Sequence, residues 1–190
     1  MTENYNALLR LLESRHSCRS FAPDPVDEKA FQSLADAFAL APQAGGNRHL
    51  QCCFITDRTT IRDLAERGRE GFAAFCQSIP SAYAREETVR YGENFFWFSE
   101  VPALAVVTCR KAPSYLQQSA GNKAPLIWGG ELSAGMSAFS LLLAAEAIGL
   151  GACCLTGPLI AWREIEGFLK IPRRDMLILL VALGYKKAAS

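Results

Sequence analysis

The residues best equipped for chemistry fall in four short stretches. In RHSCRSF, residues 15–21, the side chains of Arg15, His16, Ser17 and Arg19 crowd into five positions. Two guanidinium forks four residues apart, with a hydroxyl donor between them, suit the oxygens of a phosphate. A solvated loop is the plainer reading, because charged residues are mostly exposed. In APQAGGNRH, residues 41–49, Gly45 and Gly46 open backbone conformations closed to other residues and let the chain approach a flat ligand. The Asn47 amide offers a donor and an acceptor together, which matches the edge of a pyrimidine-type ring. An ordinary turn is the alternative. In GLGACCLTGPL, residues 149–159, a buried run ends in Thr156, Gly157 and Pro158. Backbone at a strand's end, cleared by glycine, is a common place for a ligand, although a strand-to-helix turn needs the same residues. In ALGYKK the last apolar run ends in Lys186 and Lys187, two cations whose plainest role is a solubilising tail.

Other chemistries are poorly supplied. The chain has no G-x-G-x-x-G, no Walker A motif and no G-x-S-x-G elbow. Only His16 and His49 are present, and His16 stands among arginines, a poor setting for a general base because nearby positive charge lowers its pKa. Seven cysteines include two vicinal pairs and no C-x-x-C, which suits neither a disulfide framework nor a tetrahedral metal cage. No metal site is expected, and a reducing cytoplasm is the expected location. With a formal charge of +1, the chain lacks a basic field for nucleic acid or an anionic membrane, so any anion site must be local. The N-terminus carries no secretory signal pattern. The most apolar segment, Leu132 to Ala145, falls short of the roughly 20 residues a bilayer span requires and reads as a buried helix.

The elements that must carry these segments follow from apolar periodicity. Tyr5, Leu8, Leu9 and Leu12 give a helix over 3–14, and Asp27 caps a second that ends before Pro42. Buried strands are predicted at 52–56, 102–108, 151–156 and 176–185. A third helix runs from Thr59 or Thr60 to about Ser78. Residues 80–94 receive no assignment, and 110–124 reads as a polar functional loop. Residues 125–148 are apolar nearly all round, as in a helix buried in a core or between subunits, with Gly149 as its C-cap. A short amphipathic helix covers 160–170. The result is one α/β or α+β domain over residues 1–190, with a central sheet covered by helices.

Order and spacing add what no single segment gives. The chain resembles the nitroreductase family of flavoproteins over almost its whole length. The family's R-R/H-S-x-R/K-x-F matches RHSCRSF and its A-P-S-x-x-N loop matches APQAGGN. An Asn before a buried strand matches Asn94, the apolar helix with G-L-G matches LLLAAEAIGLGACC, and A-L-G-Y closes both. The resemblance implies an α+β fold with a central mixed sheet, an intertwined homodimer, and FMN at the dimer interface. It implies that Arg15, Ser17 and Arg19, with His16 nearby, hold the phosphate or ribityl chain. Gln43, Asn47, His49 and Asn94 would lie by the ring. Backbone of Leu155, Thr156 and Gly157 would approach N5 and O4, and Lys186 or Lys187 would complete the phosphate site. It departs from the family where Asn47 is followed by RHLQ instead of x-Gln-Pro-Trp, which puts His49 at the glutamine position. The function implied is NAD(P)H oxidation through FMN, with ping-pong transfer to a small-molecule nitroaromatic, quinone or related acceptor, and with no side-chain catalyst. A flavin-binding sensor or carrier, or a flavin-consuming or dehalogenating member of the same fold, is the alternative.

Overall fold

The computed structural model describes residues 2–44, 49–111 and 129–187. Asn47 and most of the polar stretch 110–124 lie outside the described residues. Four helices begin at the side-chain caps their sequences supply. Thr2 accepts from the Tyr5 amide at the start of α1 (Glu3–Ser14), and Asp27 accepts from Lys29 at the start of α2 (Glu28–Leu40). Asp57 opens α3 (Arg58–Gln77) by accepting from both the amide (2.7 Å) and the hydroxyl (2.6 Å) of Thr60; these bonds hold its carboxyl below the usual range. Ser81 caps α4 (Ala82–Gly92). The long helix α5 (Gly129–Ala147) ends at Gly149, whose φ of +81° is a left-handed turn open to glycine. A 3₁₀ turn over Gly157–Ala161 leads into the short α6 (Trp162–Phe168).

The strands β1 (Leu50–Ile55), β2 (Ala103–Arg110), β3 (Leu150–Leu155) and β4 (Asp175–Tyr185) form one antiparallel sheet in the order β1-β2-β4-β3. Helices α2 and α5 cover one face, where Leu34, Phe38 and Leu141 meet Val107, Val181 and Leu183. On the other face α3, α6 and the 3₁₀ turns bring Ile61, Leu64, Phe98 and Ile165 against Leu104 and Leu180. Burial on both faces explains why β2 and β4 read as continuous apolar runs instead of alternating ones. The fold is therefore α+β with a central helix-covered sheet. The described parallel pairing is confined to a single bridge between Ser17 and Ala152.

That bridge begins a set of ties that attach residues 17–22 to the sheet. The Cys18 amide donates to the Ala152 carbonyl (3.0 Å), the Ala22 amide to Tyr185 (2.8 Å), and the Lys187 amide to Ser20 (3.2 Å). Phe21 pairs with Lys186. Glycine is required at 151, where a Cβ would stand 2.6 Å from the Cys18 sulfur.

Two helices differ from their sequence reading. Residues 82–92 form α4, which periodicity did not show because Tyr83, Val89 and Tyr91 point outward and Ala84 and Thr88 inward. Helix α5 buries its small residues Ser133, Ala134, Ser137 and Ala138, whereas Leu132, Met136 and Phe139 are exposed on this chain. Helix α1 buries none of its residues, and Tyr5, Leu8 and Leu12 are open.

Glycine also shapes the second core. A Cβ at Gly92 would overlap the Phe72 ring and one at Gly68 the Phe96 ring. Overpacking of this kind typically costs about 1–3 kcal/mol. Gly92→Ala should lower the free energy of unfolding by that amount in urea titrations; an unchanged midpoint and slope would show that the joint is loose.

Candidate functional site

The ties between 17–22 and the sheet carry two guanidinium groups to one edge. Successive residues of a strand face opposite sides, and the edge strand β3 has the vicinal pair Cys153 and Cys154. Burial pushes the Cys153 thiol up, while the Arg19 charge and the Ser17 hydroxyl pull against it. Burial and Cys153 push Cys154 up, while Arg15 pulls against them. Arg15, Ser17 and Arg19 therefore lie near the vicinal cysteines of β3, and Arg19 lines one cleft with both of them. Neither arginine makes an ion pair among the described residues. His16 is exposed, with Nδ1 at 3.0 Å from the Ser14 carbonyl, to which it donates when that nitrogen is protonated.

Arg19 opens on a cleft of about 580 Å³ that also holds Asn94, Leu155, Thr156 and Gly157. Three segments far apart in sequence, at residues 19, 94 and 155–157, are therefore brought together. The outer wall is aromatic. Tyr91 meets Phe95 edge-on at 5.3 Å, and Phe95 tilts against Phe72 at 5.7 Å. A Cβ on Gly157 would lie 2.5 Å from the Phe95 ring, so the glycine is needed for this wall as well as for ligand clearance. The sequence reading did not include Tyr91, Phe95 or Trp97 in the site. Their signal was the aromatic run NFFWF beside Asn94.

Gln43 and His49 lie elsewhere. Gln43 Nε2 donates to Ser137 on α5 (3.3 Å), and the neighbouring Ala44 amide donates to Ser133 (2.9 Å). His49 precedes β1, and its carbonyl accepts from the Arg110 amide (2.8 Å). β1 and β3 are opposite edges of the sheet, separated by two strands, or about 14 Å at the usual strand spacing. This chain alone does not join the Gln43–His49 corner to the cleft. Among the described residues, Gln43 Oε1 and His49 Nδ1 are buried polar atoms without a hydrogen-bond partner.

Lys186 and Lys187 differ. Lys186 Nζ is held by both oxygens of Glu146 at 2.8 and 2.7 Å, whereas Lys187 is exposed and tied only through its backbone. The donor set suits a phosphorylated heteroaromatic. Arg19, whose guanidinium has no ion pair among the described residues, lines an apolar-walled cleft together with Asn94 and the residues 155–157. Among the described residues no cluster could hold a metal, and no helix is long and apolar enough to cross a membrane.

The comparisons agree with this chemistry. The chain is similar in fold to a BluB-like flavoprotein from Clostridium difficile 630, with TM-score 0.83 and 20% identity over 96% of this chain and 91% of that one. It is similar to a nitroreductase with bound FMN from Bacteroides fragilis NCTC 9343, with TM-score 0.74 and 18% identity over 100% and 91%. An FMN-dependent nitroreductase from Clostridium difficile R20291 gives TM-score 0.67 and 18% identity over 96% and 89%. At these identities the likeness is one of fold. No curated protein matches the sequence significantly. The profile of the nitroreductase family matches residues 12–185, from the end of α1 to the last residue of β4, and the chain belongs to that family.

Proposed function

We propose that the protein is an FMN-dependent oxidoreductase that works as a homodimer. The observation that carries this reading is the cleft in which Arg19, without an ion pair among the described residues, meets Asn94 and residues 155–157, in a chain of the nitroreductase family. Arg15, Ser17 and Arg19 grip the phosphate, and Lys187 stands in reach of the same stretch through its backbone bond to Ser20. Asn94 and the backbone of Leu155, Thr156 and Gly157 face the ring from within the cleft. FMN held by these residues would supply the redox chemistry, the ping-pong transfer of electrons from NAD(P)H to a nitroaromatic, quinone or related small acceptor. The chain's own task is alignment and charge. Backbone N–H groups near Thr156 and Gly157 would meet negative charge that grows on the ring. The Phe95 wall keeps water from one side of the cleft. No side chain needs to act as acid or base.

The dimer follows from what one chain leaves uncovered. The exposed stripe Leu132, Met136 and Phe139 on α5 lies on the same helix as Ser133 and Ser137, which hold the Gln43 corner. Burying that stripe against a second copy, in the kind of apolar interface that obligate dimers use, would bring the partner's Gln43 and His49 toward the cleft. Seven free cysteines suit a reducing cytoplasm.

A charge-assisted hydrogen bond contributes about 1.5–3 kcal/mol, so Arg19→Ala should weaken FMN about 10- to 150-fold and riboflavin, which lacks the phosphate, far less. Equal losses for both flavins in fluorescence titrations would remove Arg19 from the phosphate site. Under anaerobic conditions NADH or NADPH should bleach the visible band of the flavin-loaded protein within seconds. A band that persists with both nucleotides would make the protein a flavin carrier and not an oxidoreductase.

A further inference from the structure

The Glu146–Lys186 pair is the least expected feature of the phosphate-binding end. Glu146 ends the last turn of α5, and Lys186 follows β4; their side chains are 11% and 32% exposed. Both carboxylate oxygens take hydrogen bonds from Nζ. Burial works against the charge on Glu146, yet hydrogen bonds from Lys186 and Ser14 and the nearby charges of Lys186 and His16 outweigh it and hold the carboxyl below its usual range. Ser14 and His16 flank Arg15. The Lys186 stem passes over Gly151 at 3.1 Å from where a Cβ would stand, next to the Cys18 sulfur. The ion pair therefore sits under the segment that carries Arg15, Ser17 and Arg19.

Resting on the FMN reading above, we propose that Glu146 is a built-in counter-ion that withholds Lys186 from the ligand phosphate, leaving Arg15, Ser17 and Arg19 to grip it. A bidentate carboxylate partly shielded from water takes two of the three Lys186 donors and offsets its charge. The cations left over on the 15–19 segment are Arg15 and Arg19, together matching a phosphomonoester of charge about −1.5 to −2 at neutral pH, with the exposed Lys187 as the cation next to them. The balance lets the flavin phosphate be held without a surplus positive field that would attract any polyanion. Glu146 is thus a positioning residue that acts through Lys186 and tunes selectivity for the phosphate.

The test is a double-mutant cycle read as the ratio of riboflavin Kd to FMN Kd, by flavin fluorescence titration. A ratio removes any general loss of stability that weakens both flavins alike. Glu146→Gln should raise the ratio about tenfold by releasing Lys186 to the phosphate. Lys186→Met should lower it by a similar factor, because an uncompensated carboxylate then faces the phosphate. The double variant should return close to the wild-type ratio, and Glu146→Asp, which keeps the charge, should stay there. A double variant as poor as Lys186→Met would show instead that Lys186 is itself a phosphate ligand. Unchanged ratios in both single variants would show a merely structural pair. Either result overturns the proposal. A wild-type ratio near one would instead refute the phosphate site on which it rests.

Discussion

Everything at the candidate site depends on an irregular segment being fastened to the end of a sheet. Residues 17–22 have no secondary structure of their own and are interrupted just beyond by Pro23 and Pro25. They gain a fixed course because Cys18 and Ala22 donate to the carbonyls of β3 and β4, while Ser20 accepts from Lys187. An edge strand offers unpaired backbone groups that a neighbouring segment can use. Here they fix the course of the segment that carries Arg19. Without those bonds the exposed Arg19 would be mobile, and ordering it on a ligand would cost side-chain entropy. Gly151 belongs to the same constraint, since only a residue without Cβ leaves room for the Cys18 sulfur.

The second organising fact is that the chain's binding groups are divided. The cationic edge and the cleft lie along β3. Gln43 is held by α5, and His49 stands at the start of β1 on the opposite edge of the sheet from β3. On the proposed reading the apolar stripe on α5 unites the two groups, because a two-fold interface would present each chain's Gln43 and His49 to the other's cleft. On this view dimerisation and ligand binding are one event, and the apolar residues that cost solubility in an isolated chain are part of the site.

Much of this was legible in the sequence, and the reasons differ by residue. The helices with capping residues and apolar spacing, such as α2 with Asp27, Leu34 and Phe38, follow from local rules. The strands β2 and β4 announce themselves as buried apolar runs. Arg15, Ser17, Arg19 and Thr156–Gly157 were recognisable by type and spacing, and the fold brings Arg19 and 155–157 to one cleft. The aromatic wall was not recognised, because Tyr91 and Phe95 gain meaning only when Phe95 stacks on Gly157. Nor was Glu146, whose partner Lys186 is 40 residues away. Helix α4 escaped notice because its outward tyrosines invert the usual amphipathic pattern.

The shared site is the claim on which the functional account stands, and subunit complementation measures it directly. One chain carries Arg19→Ala, which damages the cleft, and the other carries Gln43→Ala with His49→Ala, which damages the corner. The two are co-expressed with different affinity tags, and the mixed dimer is isolated. FMN is titrated at a concentration near the wild-type Kd. If each site takes its cleft from one chain and its corner from the other, the mixed dimer holds one intact and one doubly damaged site. It should then bind about half the FMN that the wild-type dimer binds at the same concentration, while both variant homodimers bind little. A mixed dimer that binds no more FMN than the homodimers, or a corner variant that binds it as well as wild type, would contradict the shared site.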